Sequence, residues 1–310
     1  MVISAKTKVS EDNMGWQVLH LSQQAHLSLK QGQCAVEFAA GDTISIPLDN
    51  LSVVILESLQ ITLSSALLQK LASNGIGVFV CNETHTPTGV LLPFMQHFSV
   101  AKMAFQQISW SLPFRNRVWQ QIVKNKIRGQ SAVLRKIGFA EQAEKLKLLS
   151  TYVQNADSTN REGQAAALYW RALYGPDFTR DAPSSLNAAL NYGYAILRGI
   201  IARDIAAIGF IPCFGLHHNN QLNAFNLADD LIEPFRPLVD NLVYQLHQSN
   251  CLPEELTPDV KAELLSILTW DLSYNHQQKN LLTITLDVCR SLATAVEAKD
   301  PKRFLPFTYG

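Results

Sequence analysis

"NAALNYGYAILRGIIARDIAAIG", residues 187–209, is the stretch on which the fold turns. Apolar side chains surround it almost completely, and no polar stripe is wide enough to face water. A helix of that kind belongs inside a protein, packed by other elements on every side. Arg198, Arg203 and Asp204 interrupt it, so it is too polar for a membrane span, which needs about 20 predominantly apolar residues. A central helix demands helical neighbours, and the flanking sequence supplies them. "VWQQIVKNKIRGQSAVLRKIG" (118–138) carries apolar residues at three- and four-residue spacing. "REGQAAALYWRALYG" (161–175) ends in Gly175, a C-cap. "PDVKAELLSILTWDLS" (258–273) and "KNLLTITLDVCRSLATAVEA" (279–298) read as two further helices. Residues 99–310 are therefore expected to be all-α.

Upstream the period changes. "WQVLHLS", "HLSLKQG", "CAVEFA", "DTISIPL", "SVVILES" and "IGVFVCN" are short apolar or alternating runs bounded by Gly, Asn and Asp, the pattern of strands. "SSALLQKLASNG" (64–75) is the one helical interruption, with Ser near its N-cap and Asn-Gly at its end. The fold class is thus α+β: a small N-terminal β domain with one helix (14–98), then a larger helical domain, with the boundary in "LLPFMQHFS". Residues 1–13 hold Val2, Ile3 and Val9 but no period that would bury a face. They are expected to be dispensable, as a mobile arm or an added strand.

The chain has 310 residues, long enough for about two domains, and 47% hydrophobic residues, enough for a sizeable core. Its five cysteines are widely spaced with no CxxC, which argues against a disulfide framework or thiolate zinc site. Neither a signal core nor a membrane span is evident, so a soluble, cytoplasmic protein with no membrane partner is expected. The formal net charge is zero, yet residues 101–150 hold ten Lys or Arg against Glu141 and Glu144. Such a segment is either a solvated helix face or a surface that contacts phosphates.

"GLHHNNQLNAFNLADDLIEPFRP" (215–237) gathers two histidines and three acids. On a helix, Asp230 and Glu233 share a face while Asp229 points about 100° away from Asp230. Pro234 disfavours regular α geometry at Glu233, which places that acid at a kink or helix junction. Carboxylates with one imidazole suit Mg²⁺ or Mn²⁺ better than Zn²⁺. The bland alternatives are acids serving a helix dipole and histidines bound to backbone carbonyls. Glu162, a possible third acid, lies three residues after Thr159, the spacing of a capping box.

Together "NREGQAAALYW", "LNYGYAILRGIIARDIAAIGF", "GLHHNNQLNAFNLADDLIEPFRPLVD" and "IPLDNLSVVILES" resemble the CRISPR-associated integrase family. This is the larger of the two universal spacer-acquisition proteins, in the variant found in type II systems. The resemblance implies a metal site of Glu162, His218 and Glu233, His218 being the histidine fifteen residues before the last acid. It implies a supporting catalytic role for Asp230 and gives Asp229 none. It implies transfer of DNA 3′-hydroxyls onto phosphodiesters of a CRISPR repeat, a homodimer, and a higher complex with double-stranded DNA and a small ferredoxin-like adaptation protein. Lys102, Arg115, Arg117, Lys124, Lys126, Arg128 and Arg236 are the candidate DNA contacts; the bland role of Arg236 is an ion pair with a nearby acid. "FSVAKMAFQQ" is less basic than in relatives. Two rivals stay open: a metal-dependent nuclease acting on branched DNA, and a non-catalytic DNA-binding scaffold.

Overall fold

The structure, a computed structural model, describes residues 2–3, 17–85, 87–91 and 100–310. Strands β1 (Val2–Ile3), β2 (Gln17–Leu21), β6 (Leu51–Leu56), β8 (Gly77–Cys81) and β9 (Pro87–Leu91) form a five-stranded sheet in that order. Its first four strands are parallel and β9 is antiparallel. Strands β5 (Thr43–Pro47), β4 (Gln33–Phe38), β3 (Ala25–Lys30) and β7 (Thr62–Leu63) form a four-stranded sheet, and α1 (Ser65–Ser73) is the helix of this half. Residues 92–99, which include most of the expected boundary segment, lie outside the described residues.

Side-chain alternation in β6 explains how the halves join. All six residues of this strand are buried. Val53 and Ile55 belong to the core of the helical part, whereas Leu51, Val54 and Leu56 belong to a second core shared with the smaller sheet and α1. From Val53 onward the two faces alternate at period two and each serves a different core; Leu51 joins the second core because the β2–β6 register shifts between Leu51 and Val53. Glu57, just past β6, is buried and receives His20 of β2 at 2.5 Å and Lys261 at 2.5 Å.

The helical part comprises α2 (Val100–Ile108), α3 (Leu112–Lys136), α4 (Ala140–Thr151), α5 (Arg161–Tyr174), α6 (Ser185–Ile208), α7 (Asn226–Ile232), α8 (Arg236–Gln248), α9 (Pro258–Ser266) and α10 (Leu281–Ala298). The central helix is α6, buried over most of its length and fitted at two glycines. A Cβ at Gly199 would stand 2.0 Å from Phe79 of β8, and one at Gly193 would stand 2.5 Å from Val239 of α8. Its charged interruptions are used internally: Arg203 binds Asp204 and reaches the carbonyl of Ser52.

The helical part is not all-α. The segment expected to be helical through residue 273 leaves the helix at Ser266, makes a 3₁₀ turn, and becomes β10 (Asp271–Tyr274) paired with β11 (Gln277–Asn280). Asn275 and His276 both have positive φ, the backbone of a tight hairpin turn whose twist matches the flanking strands. Among the described residues no helix is long and apolar enough to cross a membrane.

Candidate active site

Each residue of the "NREG" run has a separate job at the start of α5. Asn160 is the N-cap, with φ of 49°, and its side chain accepts from the Gly163 N–H at 3.1 Å. A Cβ at Gly163 would stand 2.6 Å from the Asn160 Oδ1, so only glycine leaves room for this cap. The N–H groups of Arg161 and Glu162 donate to the Asp157 carboxylate at 2.9 Å each. These bonds replace the capping box expected from Thr159, whose hydroxyl has no hydrogen-bond partner. Glu162 is thereby freed from helix capping and its side chain turns toward α3.

The histidine loop is wrapped around Asp230 of α7, which is wholly buried. Its carboxylate accepts the N–H groups of Leu216 at 2.5 Å, His217 at 3.1 Å and His218 at 3.0 Å, and lies 2.8 Å from His218 Nδ1. A Cβ at Gly215 would fall 2.3 Å from the His218 carbonyl, so glycine is required for the loop to close. Asn226 ties down the rest, donating to the carbonyls of Cys213, Asn220 and Asn223. Arg115 of α3 holds the Leu216 carbonyl at 2.7 Å. With Nδ1 committed to Asp230, a neutral His218 carries its lone pair on Nε2. The Asp230 hydrogen bond raises the His218 pKa, against the opposing effect of burial. His217 is exposed and stacks on Trp119, ring centroids 4.3 Å apart. Asp229 points elsewhere, to Arg198 at 2.6 Å.

Glu233 opens the 3₁₀ turn that joins α7 to α8, so it does sit at a helix junction, but its own backbone stays α-helical (φ −52°, ψ −45°), contrary to the expectation from Pro234. Phe235 anchors this turn by stacking on Phe307. Arg236 binds the Glu233 Oε1 at 2.8 Å and lies over the Tyr194 ring. Lys126 of α3 makes ion pairs with Glu162 Oε1, at 2.5 Å, and with Glu233 Oε2. Two carboxylates from separate helices therefore meet at one buried cation. Burial pushes the Glu233 carboxyl up, but Lys126 and Arg236 outweigh it and hold it at about 2. Beside them Tyr194 donates to Asp240, whose carboxyl burial pushes up to about 7 against the pull of that hydrogen bond.

Two expected DNA contacts are corrected by this geometry. The Lys126 side chain is 14% exposed and engaged by two acids, and Arg236 is pinned on Glu233. A buried charge needs a partner nearby, and here the partners are carboxylates of the protein. Lys102 pairs with Glu297 at the surface and Arg115 serves the histidine loop. Arg117, Lys124 and Arg128 enter no ion pair among the described residues. Arg128 borders two adjoining recesses, of about 590 and 400 Å³, that also receive Lys136, Lys147, Lys124 and Lys302.

The donor set suits a hard divalent cation: two carboxylates and an imidazole whose other nitrogen is fixed by a carboxylate. Glu233 Oε2 is buried against the Lys126 ammonium, the position a cation would take. Among the described residues, however, no three acids, histidines or cysteines stand close enough to hold one ion together. The Lys126 ammonium occupies the space between two of the three donors. Sequence reasoning missed Asp157, Asn160 and Asn226, whose polar side chains organise the site from outside it.

The pattern of the family described as CRISPR associated protein Cas1 matches residues 19–266. The CRISPR-associated endonuclease Cas1 of Neisseria meningitidis serogroup C (strain 8013) is 37% identical over 290 residues, 94% of this chain and 95% of that protein. Among solved structures, a casposase bound to integration product superposes with a TM-score of 0.74 at 18% identity, over 93% of this chain and 92% of that chain. A Cas6-RT-Cas1–Cas2 complex gives 0.75 at 19% identity; it covers 98% of this chain, which spans only 37% of that longer one. These two structural likenesses show the fold.

Proposed function

The chain belongs to the Cas1 family of CRISPR-associated proteins, and from that premise we propose that it is a metal-dependent DNA integrase of CRISPR adaptation. The observation that carries this reading is the convergence of Glu162 and Glu233 on one buried cationic position, beside a histidine loop that presents Nε2 of His218. Glu162, His218 and Glu233 would hold Mg²⁺ or Mn²⁺. When bound, the ion supplies charge neutralisation at the attacked phosphate and favours the deprotonated nucleophile. The chain's own residues prepare that site. Asp230 fixes the ring and tautomer of His218, Arg236 fixes Glu233, and Arg115 holds the loop against α3. Arg117, Lys124 and Arg128 bind backbone phosphates and so position the duplex without reading its sequence.

The reaction is transesterification: each 3′-hydroxyl of a short DNA fragment attacks a phosphodiester at a CRISPR repeat end and releases the original 3′-oxygen. The β-rich part, residues 14–98, serves dimerisation and contact with a small ferredoxin-like Cas protein. A second Cas protein is supported by the solved relative that is a Cas1–Cas2 complex. With water as nucleophile the same residues would cut DNA, which the endonuclease name of the Neisseria relative supports. The protein acts in the cytoplasm.

Purified protein, Mn²⁺, a labelled short duplex and a plasmid carrying a repeat distinguish these readings. Joined product that disappears when the fragment lacks its 3′-hydroxyl is expected. Glu162→Ala and His218→Ala should abolish joining while His217→Ala retains much of it. Cleavage without joining would establish the nuclease instead, and DNA binding without any chemistry would leave a scaffold.

A further inference from the structure

Lys126 is an unusual neighbour for two carboxylates proposed to hold an ion. Its side chain is 14% exposed, and its ammonium contacts Glu162 and Glu233 at once. A lysine ammonium is a compact point charge with three donors and no acceptor, so it satisfies carboxylates much as a small cation does. Its contact with Glu233 Oε2 neutralises that oxygen, as a bound cation would. The local charges already balance without an ion: two glutamates against Lys126 and Arg236. A divalent cation entering while the ammonium stayed would place like charges in contact in a poorly solvated space. An exit exists. A cavity of about 200 Å³ adjoins Lys126 and Glu233 and is lined further by Gln130, Tyr194, the cations Arg180 and Arg236, and Asp240, a carboxylate besides Glu233.

We infer that Lys126 is an exchangeable stand-in for the divalent ion, holding Glu162 and Glu233 together in the metal-free protein and swinging into this cavity toward Asp240 when the ion binds. The inference rests on the proposed reading of those two glutamates as metal ligands. It gives α3 a part in the site that no phosphate-binding role supplies. The lysine keeps α5 and the α7–α8 junction assembled before metal arrives, and it sets the metal affinity by competing for the same oxygens.

Lys126→Met removes the charge at nearly constant length. After dialysis against EDTA, the variant should melt about 5 °C or more below the wild type, because Glu162 loses its ion pair and Glu233 keeps only Arg236 while the two carboxylates face each other. Mn²⁺ should restore it, and calorimetry should show Mn²⁺ bound about tenfold more tightly than by the wild type. If the wild type binds no Mn²⁺, or Glu162→Ala binds it equally well, the metal reading fails and takes the stand-in with it. If the wild type binds through Glu162 but Lys126→Met binds no more tightly, or melts with the wild type when metal-free, the stand-in role alone is overturned. Should the variant not fold, ¹⁵Nζ-lysine spectra of the wild type decide. One slowly exchanging ammonium signal should move when Mg²⁺ is added, and an unmoved signal overturns the inference.

Discussion

Asp230→Asn changes one atom in a side chain that accepts three backbone N–H groups and binds the ring of His218. Asparagine retains one acceptor oxygen and turns the other into a donor. If that oxygen keeps Leu216 and His217, the new NH₂ group faces the N–H and Nδ1 of His218. One buried N–H is then left without a partner, at about 1–3 kcal/mol, and the remaining bonds lose their charge assistance. A total near 3 kcal/mol corresponds to a fall in Tm of roughly 6–12 °C for a chain of this class. The chemical effect is larger. An amide donating to Nδ1 forces the ring proton onto Nε2, the nitrogen proposed to ligate metal, and loss of such an orienting partner typically costs about 10–100-fold in metal affinity. The wild-type pH profile gives a further sign. Asp230 raises the His218 pKa, so the stabilisation from this pair is full below about 6.5, the unfolded value, and is lost as pH rises through the higher folded value. A bound metal competes with the proton, so Mn²⁺ affinity should rise through that same range, and its onset should move to lower pH in Asp230→Asn. Melting curves and calorimetry with Mn²⁺ from pH 5.5 to about 8.5 test this. Wild-type affinity, melting and pH onset in the variant would refute the role assigned to Asp230.

The other expectations are more local. Glu233, held at about 2, stabilises the fold above the unfolded carboxylate value and loses that contribution as pH falls from about 4.3 toward 2; the Tm gap between wild type and Glu233→Gln should close across that window. Gly199→Ala would drive a methyl into Phe79, 2.0 Å away, and should lower stability by about 1–3 kcal/mol in urea unfolding; an unchanged midpoint would mean that sheet and α6 are loosely joined. Neutralising Arg117, Lys124 and Arg128 together should reduce the salt slope of DNA binding by about 2–3, whereas Lys126→Met should leave the slope unchanged. A chain starting at Met14 loses the pairing of Val2 and Ile3 with Val18 and Leu19, so its Tm should fall by a few degrees, about 1–2 kcal/mol; no change would mean that β1 adds nothing to the sheet.

Elements with a strong period were legible in the sequence, and so was the junction at Glu233, but not for the reason expected: Glu233 keeps α dihedrals (φ −52°, ψ −45°), and the break falls where Pro234 and Pro237 supply no N–H to the helix ladder. The hairpin after α9 was missed although Leu268, Trp270, Leu272 and Tyr274 alternate at period two, because the helical spacing of the preceding residues was carried through them; positive φ at Asn275 and His276 makes the turn. The short helices α2 and α4 were passed over, α4 because a run such as "AEKLKLLS" reads as surface before its partner helix is known. The proposed metal set rests on resemblance and was not legible from spacing. Nothing in the spacing of Thr159 and Glu162 reveals that Asp157 and Asn160 take over the cap, since that depends on left-handed backbone at Ala156, Asp157 and Asn160.

Lys126 is the more instructive miss, because its burial was written in the helical phase. Arg117, Lys124, Arg128 and Arg135 follow one another at seven, four and seven residues, so they project from a single face of α3. Lys126 lies four after Ile122, four before Gln130 and seven before Val133, all buried. Counting charge over residues 101–150 merges these two faces and makes the segment look uniformly available to DNA. Separated by phase, the cations of α3 divide into an outward stripe that can release counterions from a duplex and two inward ones, Arg115, held on the Leu216 carbonyl, and the Lys126 ammonium. The neutralisation of the Lys126 charge by acids from α5 and the α7–α8 junction is what draws three separate helices onto one point. A lone lysine on the buried face of an otherwise basic helix is therefore evidence about where the carboxylates are, not about where the nucleic acid lies.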